Sequence, residues 1–518
     1  MPDPILLWNQ VALEANRVSH TNGQGEQAGP PLSARALAIV HLAMYDAYAG
    51  IPAPAPAPAL PPYSTGLPTA GSGATVDAAV AGAAYTTLSK LFPSQEPFFK
   101  SILAGVGDKS NAGHAFGVQV AEVIFGDRMG DPLAGGNYKP KLERGKHRPD
   151  PDNAGQGFHA PIYGAQSKGF GIQFRHEIAP PPFDKNIQDK NEYKKTLLEV
   201  RGRGIAPELM GTLPNNIKGR TAAESLIAMF WGYDGSSELG TPPRLYNQIV
   251  RRIALTRSPG SPTTPNSVAE NARLFAFLNV ALADAGILAW DQKYIHNFWR
   301  PVVGIREHDE SMGPKPIQAG NDISDEADPL WLPLGAPNTN RIAKNFTPNF
   351  PAYPSGHATF GAAAFHITRL FYNQGGKFSN NTLVKDSLFN GLDFVSDELN
   401  GISTDNKGTV RPRHLRNFPD GLWQMIEENG RSRVFLGVHW LFDAFAVKAN
   451  NKPNLHKKVG GKFIGGVPLG LLIAEDIFEF GGGLAPKKSM VGPGPAPAVE
   501  ATGAATFSSS YHPATSAR

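Results

Sequence analysis

Cysteine is absent from the 518-residue sequence, which excludes disulfide bonds, zinc sites with cysteine ligands, iron–sulfur clusters and thiol nucleophiles. An excess of one charge is also missing, because 49 lysines and arginines face 45 aspartates and glutamates. This balance argues against nucleic acid or an anionic membrane as the main partner. No run approaches the roughly 18 consecutive apolar residues of a membrane span, and no signal peptide is recognisable near Met1. We therefore expect a soluble protein without a membrane span.

Apolar residues recur at three- and four-residue steps along much of the chain, whereas alternating runs of β-branched residues are scarce. This pattern predicts a mainly α-helical fold with long loops. One helix is expected to begin at a cap provided by Ser33, and another to run from Val76 to Leu91. Further helices are predicted at 220–232, 243–256, 266–292, 357–373, 386–399 and 421–449.

Segments rich in proline and glycine separate these helices. Residues 52–75 include PAPAPAPALPP, which is typical of a stiff connector on the surface. Residues 130–190 are predicted to be loop over much of their length. From residue 481 onward glycine, proline, alanine and serine dominate, which indicates a flexible tail. We expect a single domain over 1–480 and a tail over 481–518.

Three positively charged side chains and one helix start predict an oxyanion site. Lys293 ends a predicted helix, Arg300 follows seven residues later, and Arg433 lies in a later segment. An arginine fork suits bidentate contact with a tetrahedral oxyanion, while lysine acts as a point charge. Ser355 and Gly356 begin a predicted helix, where free N–H groups and the helix dipole favour an anion. Each segment alone has an ordinary structural explanation, but together they indicate function.

Two histidines accompany these cations. Neighbouring positive charges disfavour imidazolium, so His357 and His439 are both expected to be neutral at pH 7. Asp443, four residues after His439 on the same predicted helix, could accept the Nδ1 proton and present Nε2 to the site. On a regular helix, however, His439 and Arg433 point about 120° apart. Spacing alone therefore does not bring these two residues together.

These segments resemble the signature of the acid phosphatase/vanadium haloperoxidase superfamily. The similarity extends, with gaps, from about residue 7 to about residue 478, and the chain closely resembles the fungal vanadium chloroperoxidase branch. The stretches that carry it include LWNQVALEANRVSHT, GPPLSARALAIVHLAMYDAY, YDGSSELGTPPRLYNQIVRRIA, FPAYPSGHATFGAAAF, SRVFLGVHWLFDA and GGVPLGLLIAEDIF. The resemblance implies a mainly α-helical fold with two four-helix bundles. It also implies one vanadate cofactor per chain, and no haem, flavin or nicotinamide.

The resemblance further implies a role for each site residue. His439 would be the protein ligand of vanadium, and His357 the acid–base residue. Asp234 would pair with Arg433, and Asp443 would support His439. Lys293 would also polarise peroxide. The side chains or backbone groups expected to bind the vanadate oxygens are those of Lys293, Arg300, Ser355, Gly356 and Arg433, and those expected to line a halide pocket are Trp290 and Phe350.

The activity implied by the resemblance is that of a vanadate-dependent haloperoxidase. Such an enzyme oxidises chloride and/or bromide with hydrogen peroxide to hypohalous acid, which then reacts with small organic acceptors. The aromatic ring of Phe350 favours chloride oxidation, with bromide also accepted. Relatives often work outside the cell, so secretion is expected although no cleavable signal is visible.

Two other functions are compatible with the same residues. An acid phosphatase of this superfamily would use His439 as a nucleophile, forming a phosphohistidine, and His357 to protonate the leaving oxygen. A non-catalytic oxyanion-binding protein would need the three cations but not His357. Halogenation and phosphatase assays distinguish the first alternative, and a substitution of His357 distinguishes the second.

Overall fold

The computed structural model describes residues 3–52, 59–320, 323–374, 376–381 and 387–494, and over these ranges the chain is mainly α-helical. The helices are α1 (Pro4–Ser19), α2 (Pro30–Ala49), α3 (Val76–Leu91), α4 (Glu96–Val106), α5 (Ala112–Asp127), α6 (Tyr163–Gln166), α7 (Ile187–Arg203), α8 (Ala222–Phe230), α9 (Pro242–Ala254), α10 (Val268–His296), α11 (Pro301–Arg306), α12 (Gly356–Phe371), α13 (Gly421–Phe435), α14 (Leu441–Ala444) and α15 (Gly466–Phe480). Two short antiparallel pairs accompany them, β1 (Leu392–Phe394) with β2 (Arg416–Phe418) and β3 (Lys458–Val459) with β4 (Lys462–Phe463).

Helix α10 lies at the centre of the molecule. It begins at a capping box formed by Ser267 and Glu270 and continues for 29 residues. By length and composition it could cross a membrane, but 94% of its most apolar window is buried inside the protein. A helix that is apolar on all sides is typical of a protein core as well as of a membrane. We therefore regard α10 as the core helix.

Two groups of helices pack around α10. In the first group, α2, α3 and α5 pack against one another, and α2 contacts α10. In the second group, α12 packs against α10, α13 and α15, and α15 also contacts α10. This arrangement confirms the prediction of a mainly α-helical fold built from helical bundles.

The loop-rich segment over 130–190 is ordered by a buried carboxylate on α10. Asp284 is completely buried, and its oxygens accept hydrogen bonds from the backbone N–H groups of Phe170 and Gly171 at 2.7 Å and Ile172 at 3.0 Å. A carboxylate that accepts several backbone donors can hold a loop without regular secondary structure. The prediction of loop over most of this segment is confirmed, with α6 as a short helix inside it.

The predicted helix over 76–91 is confirmed as α3, but the predicted cap of α2 is wrong. Helix α2 begins at Pro30, three residues before Ser33, because a proline has a suitable φ for the first helical position. The preceding Gly29 has φ +84°, which lets the chain turn into the helix. The Ser33 hydroxyl lies inside the helix and donates to the Gln27 carbonyl at 3.1 Å.

The predicted helix over 386–399 is wrong. In the described part of this segment, from residue 387, the chain forms β1 and then a 3-10 helix over Asp397–Leu399. Gly391 has φ +72°, which interrupts a helix, and β1 pairs with β2 more than 20 residues later in the chain. A local apolar pattern does not report such a distant partner.

Part of the predicted tail packs against the body of the protein. Ser489 N–H donates to the Phe170 carbonyl at 2.9 Å, and Gly494 N–H donates to the Ala165 carbonyl at 2.7 Å. Residues 495–518 lie outside the described residues, as do residues 53–58 of the predicted connector. For residues 495–518 the flexible tail stays a prediction.

Candidate active site

The three predicted segments converge on one narrow pocket. Helix α10 contributes Trp290 and Lys293 from its C-terminal end, and Arg300 is the N-cap of α11. Helix α12 begins with Gly356 and His357 after its N-cap Ser355, as predicted. The predicted residues that line the pocket are Asp234, Trp290, Phe350, Gly356, His357, Arg433 and His439. Arg300 contacts His439, Lys293 lies near the aromatic rings, and Ser355 precedes Gly356 in the chain.

The predicted helix over 421–449 is confirmed over 421–435 and is wrong beyond residue 435, and this error matters for the site. Helix α13 ends at Phe435, and the chain turns at Gly437, which has φ +75°. A Cβ atom at Gly437 would clash with the Gly204 carbonyl oxygen, so a glycine fits this turn. His439 follows outside any helix, which removes the 120° separation from Arg433 expected on a continuous helix. Asp443 belongs to a separate short helix, α14.

His439 has a defined hydrogen-bonding arrangement on both ring nitrogens. Its Nδ1 lies 2.7 Å from Asp443 Oδ2, and its Nε2 lies 2.9 Å from Arg300 Nη1. A guanidinium can only donate, so Nε2 must accept, and Nδ1 must carry the proton that is donated to Asp443. The Nε2 lone pair therefore points towards the cationic side of the pocket, as a ligating histidine requires.

Burial and neighbouring cations keep His439 neutral. Burial lowers the pKa of the His439 imidazole well below its usual 6.5, and Arg300 and Lys293 lower it further. Burial also raises the pKa of Asp443 to about 8, although Lys293 and Arg300 oppose this shift. The Trp440 N–H donates to Asp443 Oδ2 at 3.0 Å, which fixes the carboxyl group. The imidazole is thus held in the neutral form with its orientation determined from the Asp443 side.

Two buried arginines at the site have N–H donors that the described protein groups do not use. Arg433 makes a bidentate pair with Asp234, at 3.0 and 2.7 Å, and Arg300 donates to the carbonyls of Phe350 and Val438. Arg433 Nε and Arg300 Nη2 have no hydrogen-bond partner among the residues that the structure describes. Burial lowers the pKa of Arg300 to about 9, and Arg433 contributes. An anion at this position would satisfy buried donors and relieve the repulsion between cations.

Lys293 is engaged differently from its neighbours. Its ammonium donates to the carbonyls of Pro351, Ala352 and Pro354 at 2.9, 3.1 and 2.5 Å. Burial lowers its pKa well below 10.5, and Arg300 adds to this effect. In this structure Lys293 therefore fixes the loop that leads to Ser355, in addition to placing positive charge beside the pocket.

His357 is held by contacts at both its side chain and its backbone. Its Nε2 lies 2.8 Å from the Gly232 carbonyl oxygen, to which it donates. Its own carbonyl accepts hydrogen bonds from Asn429 Nδ2 at 2.7 Å and from the Tyr246 hydroxyl at 3.1 Å. Burial lowers the pKa of His357 to about 4, and Arg433 contributes. His357 is therefore neutral at pH 7 and can take up a proton at Nδ1.

The two aromatic residues predicted for the halide pocket pack together. The ring centroids of Trp290 and Phe350 are 4.8 Å apart, and both residues are almost completely buried. Lys293 Nζ and Arg300 Cζ each lie 5.0 Å from the centre of the Phe350 ring. The ring thus places an apolar surface next to two positive charges, which suits a weakly hydrated anion.

Sequence reasoning missed several residues that line the pocket. Pro30 begins α2, Pro242 begins α9, and Pro348 and Phe360 complete the wall. A signal for two of them was visible, because both helices start with consecutive prolines that lack an N–H donor. Nothing in the local sequence shows that these two helix starts face the same pocket.

The donor set fits an oxyanion. Lys293, Arg300 and Arg433 are buried beside two carboxyl groups, so the cluster retains an excess positive charge even when both acids are ionised. In the described part of the chain, no group of three or more histidine, aspartate or glutamate side chains could hold a bare metal ion. An oxide anion held by hydrogen bonds agrees with both observations, and the His439 Nε2 lone pair, which accepts from Arg300 Nη1 in this structure, faces the same cluster of donors.

Comparisons with known proteins give consistent matches along the chain. The family model of the vanadium chloroperoxidase N-terminal domain matches residues 3–156, and that of the VCPO second helical-bundle domain matches residues 273–452. The vanadium chloroperoxidase of Curvularia inaequalis is 36% identical over an alignment of 569 positions, gaps included, which covers 92% of this chain and 90% of that protein.

Two solved structures share the fold. A holo-type bacterial vanadium-dependent chloroperoxidase superposes with a TM-score of 0.58 at 16% identity, covering 90% of this chain and 95% of the other. A bacterial vanadium-dependent iodoperoxidase superposes with a TM-score of 0.53 at 17% identity, covering 94% and 98%. At these identities the likeness concerns the fold alone.

Proposed function

The chain belongs to the vanadium chloroperoxidase family, and we propose that the pocket around His439 is the vanadate site of its halide oxidation. It is a vanadium-dependent haloperoxidase that oxidises chloride and/or bromide with hydrogen peroxide to hypohalous acid. The observation that carries the site assignment is the 2.9 Å contact between His439 Nε2 and Arg300 Nη1, inside a buried cluster of cations.

Vanadate would be held by His439 Nε2 and by the unpaired donors of Arg300 and Arg433. The N-terminus of α12, with Ser355 and Gly356, would supply further donors to its oxygens. When bound, this group supplies a Lewis-acidic vanadium(V) centre that activates hydrogen peroxide without a change of oxidation state.

The protein residues have separate tasks in the reaction. His357 would accept a proton from hydrogen peroxide, because its imidazole is neutral and its Nε2 is already held by the Gly232 carbonyl. Lys293 would keep the loop before α12 in place and provide positive charge where negative charge develops. Asp443 would hold the imidazole of His439 in the tautomer that presents a lone pair.

We also propose that the chain belongs to the fungal-type chloroperoxidase branch and oxidises chloride. Its higher identity to the Curvularia inaequalis protein than to the bacterial proteins supports the branch. The packed rings of Trp290 and Phe350 support chloride, because a halide bound beside apolar rings is less hydrated and therefore more nucleophilic, which favours the harder oxidation of chloride. Small organic acceptors and secretion from the cell stay predictions from the family resemblance.

Parallel assays test the activity against the phosphatase alternative. With added vanadate, the protein should halogenate monochlorodimedone in the presence of hydrogen peroxide and bromide or chloride, and chelation of vanadate should abolish this reaction. Turnover of p-nitrophenyl phosphate should be weak and should be inhibited by vanadate, because both oxyanions compete for the same donors. Strong phosphatase turnover without any vanadate-dependent halogenation would favour the phosphatase.

Phe350→His should shift the enzyme away from chloride. A polar ring between two cations would bind water and hydrogen-bond neighbouring groups, and one additional hydrogen bond corresponds to a rate change of about tenfold. We expect kcat/KM for chloride to fall about tenfold relative to bromide. Phe350→Leu is the control, because it keeps an apolar side chain and should leave the chloride-to-bromide ratio within about twofold. Equal ratios in both variants would show that the ring does not select the halide.

A further inference from the structure

One short turn positions two parts of the site at once. The turn over 231–235 connects to His357 through the Gly232 carbonyl and to Arg433 through the Asp234 carboxylate. Tyr233 in this turn has φ +56°, a conformation that is unfavourable for a residue other than glycine. A turn of this kind persists only when surrounding groups hold it.

Glu398 holds this turn by its backbone. Its Oε1 accepts the Tyr233 N–H at 3.0 Å, and its side chain is completely buried. Its Oε2 accepts hydrogen bonds from the Thr339 hydroxyl at 2.6 Å and from Arg411 Nη1 at 2.8 Å. The carboxylate is therefore fixed on both oxygens, and one of the fixed contacts is to the strained residue of the turn.

The chain makes room for this carboxylate at Gly232. A Cβ atom there would clash with Glu398 Oε1, so the close approach depends on a glycine at this position. The 3-10 helix that contains Glu398 makes a second hydrogen bond to the turn, in which Asp397 N–H donates to the Tyr233 hydroxyl at 2.8 Å. Glu398 thus contacts the backbone of Tyr233, and the preceding residue, Asp397, contacts its side chain.

Burying this carboxylate has a cost. Burial raises the pKa of Glu398 to about 7, although Arg411 opposes the shift. An apolar side chain of similar size would avoid the cost of desolvating a charge. A buried acid at this position is therefore explained by its contacts rather than by its contribution to packing.

We propose that Glu398 is a positioning residue for halide oxidation, fixing the 231–235 turn so that Gly232 orients the His357 imidazole and Asp234 orients the Arg433 guanidinium. This inference rests on the proposed function of the pocket. Glu398 contacts neither His357 nor Arg433 itself; it acts through the turn. It is expected to affect the turnover and the binding of vanadate, but not the wall formed by Trp290 and Phe350.

The test uses the full chain with Glu398→Ala and Glu398→Gln. In Glu398→Ala we expect kcat for bromide oxidation and the affinity of the vanadate-free protein for orthovanadate each to fall about tenfold. The KM for bromide should stay within about twofold, because the Trp290 indole donates to the His159 carbonyl and the Phe350 carbonyl accepts from Arg300, so that both residues are held by groups outside the turn. Glu398→Gln keeps an oxygen for the Tyr233 N–H, so it should recover part of both losses. Calorimetric titration with orthovanadate gives the affinity independently of activity.

Glu475→Gln is the matched control. Glu475 is also buried and accepts hydrogen bonds from the backbone N–H groups of Phe378 and Ser379, but it belongs to α15 and its carboxylate contacts His366 of α12 rather than the turn. It should lower the melting temperature by a similar amount and leave kcat and vanadate affinity within about twofold of wild type. A folded Glu398→Ala protein with wild-type kcat and wild-type vanadate affinity would overturn the proposal.

A second variant and the wild-type protein complete the test of Glu398. If Glu398→Ala does not fold, Thr339→Val replaces it, because this variant removes one hydrogen bond from the same carboxylate and should lower vanadate affinity about threefold. Unchanged affinity and kcat in that variant would also overturn the role of Glu398. Failure of the proposed function is recognised separately, because the wild-type protein would then neither bind orthovanadate nor oxidise bromide.

Discussion

Replacing His357 with alanine should lower kcat for halide oxidation by about 10²- to 10⁴-fold, the usual range for loss of an acid–base group. Its imidazole is neutral because burial lowers its pKa to about 4, and it is oriented by the Gly232 carbonyl. Orthovanadate affinity should change by no more than about threefold, because the donors of Arg300 and Arg433 and the His439 nitrogen all remain. Steady-state halogenation and calorimetric titration measure the two quantities separately.

A second histidine on the same helix serves as the control. His366 is completely buried on α12, but its Nε2 contacts Glu475 rather than the pocket. His366→Gln should therefore keep kcat within about threefold of wild type, even if the protein is less stable. Unchanged halide oxidation in His357→Ala would refute the acid–base role. If the wild-type protein binds vanadate but does not oxidise halide, it is instead a non-catalytic oxyanion-binding protein.

His439→Ala should have the larger effect on the cofactor. Its Nε2 is the imidazole nitrogen that meets Arg300, and its removal leaves Arg300 Nη1 and Asp443 Oδ2 each without one partner. We expect orthovanadate affinity to fall by at least about 100-fold, since even residues that only support a metal ligand contribute 10- to 100-fold. Halogenation at micromolar vanadate should then be undetectable.

Asp443→Asn provides a graded comparison for the same nitrogen. The amide cannot ionise, so it stabilises the His439 Nδ1 proton less than Asp443 does, and orthovanadate affinity should fall about 10- to 100-fold. The series wild type, Asp443→Asn and His439→Ala should therefore lose affinity in that order. Vanadate binding at wild-type strength in His439→Ala would remove this residue from the list of ligands and with it the proposed site.

Local sequence patterns predicted those features that depend on neighbouring residues. Helix α3 lies over the predicted range, and Ser355 caps α12 at the predicted place, because caps and apolar spacing act within one or two turns. The segment over 386–399 was predicted wrongly for the opposite reason, since β1 depends on pairing with β2 far along the chain. The N-cap of α2 is Gly29, four residues before the predicted cap Ser33, because the chain enters the helix through Gly29 and Pro30.

The features of the site can also be separated into those that depend on local sequence and those that depend on distant segments. The residue types available for oxyanion chemistry follow from the amino-acid sequence, because they depend on side chains and on short motifs. They include Lys293, Arg300, Arg433 and the two histidines. Two other features follow from the packing of distant segments: the helix containing Arg433 ends before His439, and Glu398 contacts the turn behind His357. These features arise where segments more than 100 residues apart are packed against each other, and such packing leaves no periodic signal in either segment.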